Sequence, residues 1–120
     1  MINLDDIRTA RERIRPHVRQ TPLIAARPVR QAIEHAPHLY LKLENLQIIG
    51  SFKSRGAVNK LLSLTPEQVA RGIITASGGN HGMGVAYAGW LAHVPVKIYL
   101  PHSTPQSKAR SLERWVLCGR

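Results

Sequence analysis

Acidic side chains, aromatic rings and cysteine are all scarce in this sequence. Seven Asp plus Glu stand against 17 Lys plus Arg, a formal charge of +10, and a surplus of that size raises a nucleic acid or an anionic surface as a partner. Aromatic residues make up only 5% of the chain, and no basic run exceeds a few residues. Single-stranded nucleic acid needs interleaved stacking rings or a recognisable module, so no nucleic-acid partner is expected. Arg8, Arg11, Arg15 and Arg19 instead read as a solvated helix face. The one cysteine, Cys118, excludes an intrachain disulfide and fits a reducing, cytoplasmic compartment. No window supplies the roughly 18 uninterrupted apolar residues of a membrane span. Asp5 and Asp6 stand where a secretory leader needs an apolar core. His35 and His38 flank Pro37 with no Cys or carboxylate cluster beside them, so no metal site is expected. Repeats, low-complexity tracts and linkers are absent as well.

What is present is a globular balance: 120 residues, 43% hydrophobic and 20% charged, enough for one modest domain. Leu4, Ile7, Ala10, Ile14 and Val18 recur at helical spacing behind Asn3, a plausible cap, and the acidic first turn Asp5-Asp6. Pro16 bends or ends that helix, and Thr21-Pro22-Leu23-Ile24 reads as extended. A second helix is predicted over Val29 to Glu34, a strand over Leu39 to Leu43, and a helix over Phe52 to Leu62 capped by Ser51. A short helical stretch follows Pro66. Gly72 to Ala76 reads as a buried strand that empties into the glycine-rich loop Ser77 to Gly84. A small-residue helix (Val85 to Ala92), a strand (Val96 to Leu100) and a helix from about Pro105 complete a βαβα unit. The fold class is therefore α/β, a parallel sheet with flanking helices.

Two segments could carry chemistry. A glycine-rich turn from a strand's carboxyl end to a helix's amino end presents backbone N–H groups to an anion, and Asn80 and His81 add side-chain donors. The same glycines could equally serve close packing of helix on sheet. The loop lacks the third glycine of the dinucleotide fingerprint, and Gly50 to Gly56 lacks the Lys and Ser/Thr of a P-loop. The second candidate is Lys53, near a predicted helix start. A lysine there could act as a Schiff-base nucleophile, though a lone lysine is more often a solvated surface residue.

Taken in order, Tyr40-Leu41-Lys42-Leu43-Glu44-Asn45-Leu46-Gln47, Gly50-Ser51-Phe52-Lys53-Ser54-Arg55-Gly56-Ala57 and Thr75-Ala76-Ser77-Gly78-Gly79-Asn80-His81-Gly82 closely resemble the threonine/serine dehydratase family of pyridoxal-phosphate enzymes. That family shares the tryptophan-synthase-β-like fold, fold type II, with serine racemase. The resemblance runs from Thr21-Pro22-Leu23 to about Trp115. It implies pyridoxal 5'-phosphate as cofactor, linked covalently to Lys53, with Phe52 packing near its ring and Asn80 bonding its 3-hydroxyl. It also implies that Ser77, Gly78, Gly79, Asn80 and His81 bind the substrate carboxylate, and that Leu100-Pro101 to Lys108 is structural.

The implied reaction is β-elimination from threonine or serine, giving a 2-oxo acid and ammonia. Freed from the cofactor, Lys53 would take the α proton while the ring accepts the electrons. Where serine racemase-like members carry a second serine, this chain has Gly78, which favours elimination over racemisation. The family's chains are more than twice as long, and a tetraglycine phosphate loop and a polar partner for the ring nitrogen do not occur here. The expectation is thus a truncated N-terminal portion, with residues 1–52 starting the large domain and 53–120 forming part of the small one. Its substrate would be a small hydroxy amino acid, its full-length form a homo-oligomer, and its partners neither nucleic acid nor membrane. The competing expectation is a noncatalytic remnant or interaction module.

Overall fold

The computed structural model describes residues 1–26 and 39–117. The helix predicted over Val29 to Glu34, the pair His35 and His38, and Cys118 all lie outside those residues. Helix α1 covers Leu4–Ile14. The Asn3 side chain accepts from the amides of Asp5 and Asp6, each at 2.9 Å, and the Asp6 carboxylate accepts from the Asn3 amide at 2.9 Å. This reciprocal cap satisfies amides that have no partner inside the helix. Pro16 has no N–H to continue the ladder, so the chain tightens into a 3-10 turn over Arg15–His17 and leaves the helix four residues before Val18.

Strand β1 (Leu23–Ala25) pairs antiparallel with β2 (Tyr40–Lys42), Ile24 opposite Leu41. Both strands fall in segments expected to be extended, Thr21 to Ile24 and Leu39 to Leu43, while their pairing across distant sequence was not expected. Helix α2 (Lys53–Leu62) and the five-residue α3 (Pro66–Ala70) come next. Strand β3 (Ile73–Ala76) and strand β4 (Val96–Tyr99) then pair in parallel, joined through helix α4 (Asn80–Leu91). Helix α5 (Gln106–Leu117) follows. The α/β class and the parallel pair match the expectation. The burial of β3 does not: its residues alternate, and Ile74 is 70% exposed. The second face of that strand has no layer over it among the described residues.

The core forms where α4 runs between α2 and α5. Ile14, Val58, Leu61, Tyr87, Ala88 and Val94 are buried together. Tyr87 stands edge-on to Trp115 at 5.1 Å, and Trp90 to Trp115 at 5.2 Å. The Tyr87 hydroxyl donates to the His17 carbonyl at 2.6 Å, tying the end of α1 to the middle of α4. Among the described residues, no helix is long and apolar enough to cross a membrane.

Candidate active site

Lys53 is the first residue of α2, and that helix starts without a side-chain cap. Ser51 does not fill the expected capping role. Phe52 occupies the cap position in a helical conformation, and the Ser51 hydroxyl is buried with no hydrogen-bond partner among the described residues. Phe52 is 58% exposed, and Lys53 Nζ lies 4.9 Å from its ring centroid, within the range of a cation–π contact. The two side chains therefore stand together at the surface, an amine beside an accessible aromatic face.

The glycine segment is shorter as a loop than its composition suggests. Helix α4 begins at Asn80 rather than at Val85, so Asn80 and His81 form its first turn and the true turn is Ser77-Gly78-Gly79. Gly79 is the cap and has no side chain to offer, so the first amides of α4 have no partner within the helix. Free backbone amides are thus presented by a helix end rather than by a loop, a geometry that can receive an anion. The Ser77 hydroxyl accepts from the Gly79 amide at 3.2 Å, which folds the turn back on itself. A Cβ at Gly78 would come 2.7 Å from Thr104 Oγ1 and 3.1 Å from Thr104 Cγ2, so the Thr104 side chain already fills that space.

The packing reading of the glycines also applies. A Cβ at Gly84 would lie 2.9 Å from the Lys53 carbonyl oxygen and 3.3 Å from Ala57 Cβ. Only glycine lets α4 approach the start of α2 this closely, and that approach joins the two candidate segments. Between them is a cavity of about 550 Å³ whose wall includes Phe52, Lys53 and His81, with Leu61, Ile73 and Val85 on its apolar side. Ser77, Gly78, Gly79 and Asn80 are not on that wall; Gly78 faces Thr104.

One group near the site had no assigned role in the sequence reading. Glu44, in a 3-10 turn over Glu44–Leu46, accepts from Arg55 Nη2 at 2.8 Å, Arg55 Nε at 2.9 Å and the Thr21 hydroxyl at 2.6 Å. The Arg55 fork, assisted by the Thr21 hydroxyl and nearby Lys42, overcomes partial burial and lowers the Glu44 carboxyl from its ordinary 4.5 to about 2. Gln47, 2% exposed, bonds both the amide and the carbonyl of Arg19 at 2.9 Å. The arginine two residues after Lys53 was the available signal. Its partner lies eleven residues upstream in irregular chain, where spacing carries no information.

Comparisons with known proteins agree with one another. The family model described as pyridoxal-phosphate dependent enzyme matches residues 14–115. The catabolic L-threonine dehydratase TdcB of Staphylococcus aureus (strain USA300) is 44% identical over 111 residues, covering 92% of this chain and 32% of that protein. Among solved structures, maize serine racemase superposes with a TM-score of 0.80 at 35% identity, over 94% of this chain and 34% of that one. The processed form of threonine deaminase isoform 2 from Solanum lycopersicum gives 0.72 at 31% identity, over 95% and 32%. The chain thus spans about a third of the length of the curated relatives it matches.

Proposed function

The chain belongs to the pyridoxal-phosphate dependent enzyme family, and from that premise we propose that it is the amine-bearing portion of a threonine/serine dehydratase. The observation that carries the reading is the shared cavity wall of Lys53, Phe52 and His81. The local chemistry fits the cofactor. Lys53 offers a primary amine to its carbonyl carbon, the exposed Phe52 ring a flat apolar contact, and the Ser51 hydroxyl a buried polar group without a partner among the described residues.

Pyridoxal phosphate would supply an electron sink for the pair left at Cα. Lys53 would hold the cofactor through its amine and, with that amine free, would take the Cα proton. His81, on the cavity wall with Lys53, and the uncapped amides of the first turn of α4 would hold the substrate carboxylate so that the Cα–H bond keeps a fixed direction. The proton leaves Cα, hydroxide leaves Cβ, and hydrolysis yields a 2-oxo acid and ammonia.

Racemisation is the second reading, supported by the likeness to maize serine racemase. Elimination is favoured because Gly78 has no hydroxyl to exchange a proton. Residues 1–52 and 53–120 would then belong to different domains of the complete enzyme. The 120 residues alone would carry no turnover, since the relatives are about three times as long.

The test is a chimera in which this chain is completed with the remaining two-thirds of a threonine dehydratase. It should release ammonia from threonine or serine, and Lys53→Ala should lower that rate by at least about a thousandfold, as loss of a covalent catalytic group does. Near-normal turnover in the variant would overturn the assignment.

A further inference from the structure

We propose that Arg55 and Glu44 are positioning residues for Lys53, a proposal that rests on the reading of Lys53 as the cofactor-linking amine. The start of α2 has no side-chain cap, and the Ser51 hydroxyl just ahead of it has no partner among the described residues. A helix end without a cap frays, and an amine on its first residue then samples many directions. Here the first turn is held from two other sides. On one, Gly84 of α4 sits against the Lys53 carbonyl. On the other, Arg55 grips both oxygens of Glu44 and also donates to the Arg19 carbonyl at 3.1 Å.

Glu44 is itself fixed. The Thr21 hydroxyl donates to it, Lys42 Nζ donates to the Thr21 carbonyl, and Gln47 locks the following turn to Arg19. The fork therefore ties α2 to an anchored segment rather than to a loose surface acid. Side-chain exposures of 31% for Arg55 and 18% for Glu44 place the pair well above a fully solvated ion pair in worth. Helical geometry turns the chain by about 100° per residue, so Arg55 and Lys53 leave the helix in different directions, and both border the cavity. Its work is to set the helix's rotation and leave the amine free to reach into the cavity.

The test uses the 120-residue chain, pyridoxal phosphate as probe and borohydride to trap whichever lysine has reacted. Peptide mass mapping then gives the labelling of Lys53 relative to Lys97, which lies on β4 and has no link to the pair. Glu44→Gln and Arg55→Lys should each lower the Lys53:Lys97 ratio about tenfold, the scale of loss when a reacting group is misdirected. A purely structural role would change labelling of all lysines together with the folded fraction, leaving the ratio in folded protein unmoved.

Variants that keep the wild-type ratio would overturn the positioning role. If Glu44→Gln does not fold, Arg55→Lys decides in the same way. A wild-type chain with no preference for Lys53 would instead overturn the reading of Lys53, and the positioning role with it.

Discussion

Gly84 and Lys53 meet backbone to backbone: a methyl group at 84 would stand 2.9 Å from the Lys53 carbonyl oxygen and 3.1 Å from its carbon. Neither atom can rotate away, so α4 or the start of α2 would have to move. Gly84→Ala should therefore destabilise the chain by about 1–3 kcal/mol, the usual cost of overpacking a tight contact, despite alanine's better helix propensity. Urea denaturation checks this, and a midpoint at or above the wild-type value would contradict it.

Gly78 and Thr104 form a second complementary pair, but there the neighbour is a side chain. Gly78→Ser places a Cβ 2.7 Å from Thr104 Oγ1, and Thr104 must rotate to admit it. The single substitution should cost about 1 kcal/mol, and Thr104→Ala should remove most of that cost in the double variant. In the completed enzyme the same double variant, rather than Gly78→Ser alone, is the one expected to raise racemisation relative to ammonia release. A double-mutant cycle with no coupling would show that Thr104 does not fill the space.

Glu44 makes acid stability a measure of its network. Its carboxyl titrates at about 2 in the fold against an ordinary 4.5, first because of the hydrogen bonds from Arg55. A carboxyl lowered on folding stabilises fully above its unfolded value, and that contribution is lost as pH falls from about 4.5 toward 2. Glu44→Gln should cost about 1.5–3 kcal/mol at neutral pH, as loss of hydrogen bonds to a charged group does. The gap between variant and wild type should close as pH drops below 4.5. Chemical denaturation at several pH values checks this; a gap that stays constant down to about pH 2 would contradict it.

Much of the fold was legible because it depends on residues close together in the chain. The Asn3 cap, the stop at Pro16 and the strand, helix, strand order through Ile73, Asn80 and Val96 all follow from spacing of a few residues. So did the two segments of the candidate site, since Lys53 and the glycine turn are marked by short motifs. The start of α4 lies five residues earlier than glycine composition suggests, because Gly82, set against Ser77 and Leu112, and Gly84, set against Lys53 and Ala57, both lie inside the helix.

What only the tertiary structure decided are relationships between distant residues. Arg55 finds Glu44 and Thr21, Gly78 finds Thr104, and Leu23–Ala25 pairs with Tyr40–Lys42. Local pattern reports which face of an element is apolar and where it starts or stops. It does not report which surface arrives opposite, because that depends on how distant segments pack together, and close packing admits a neighbour only where the shapes of both partners allow it.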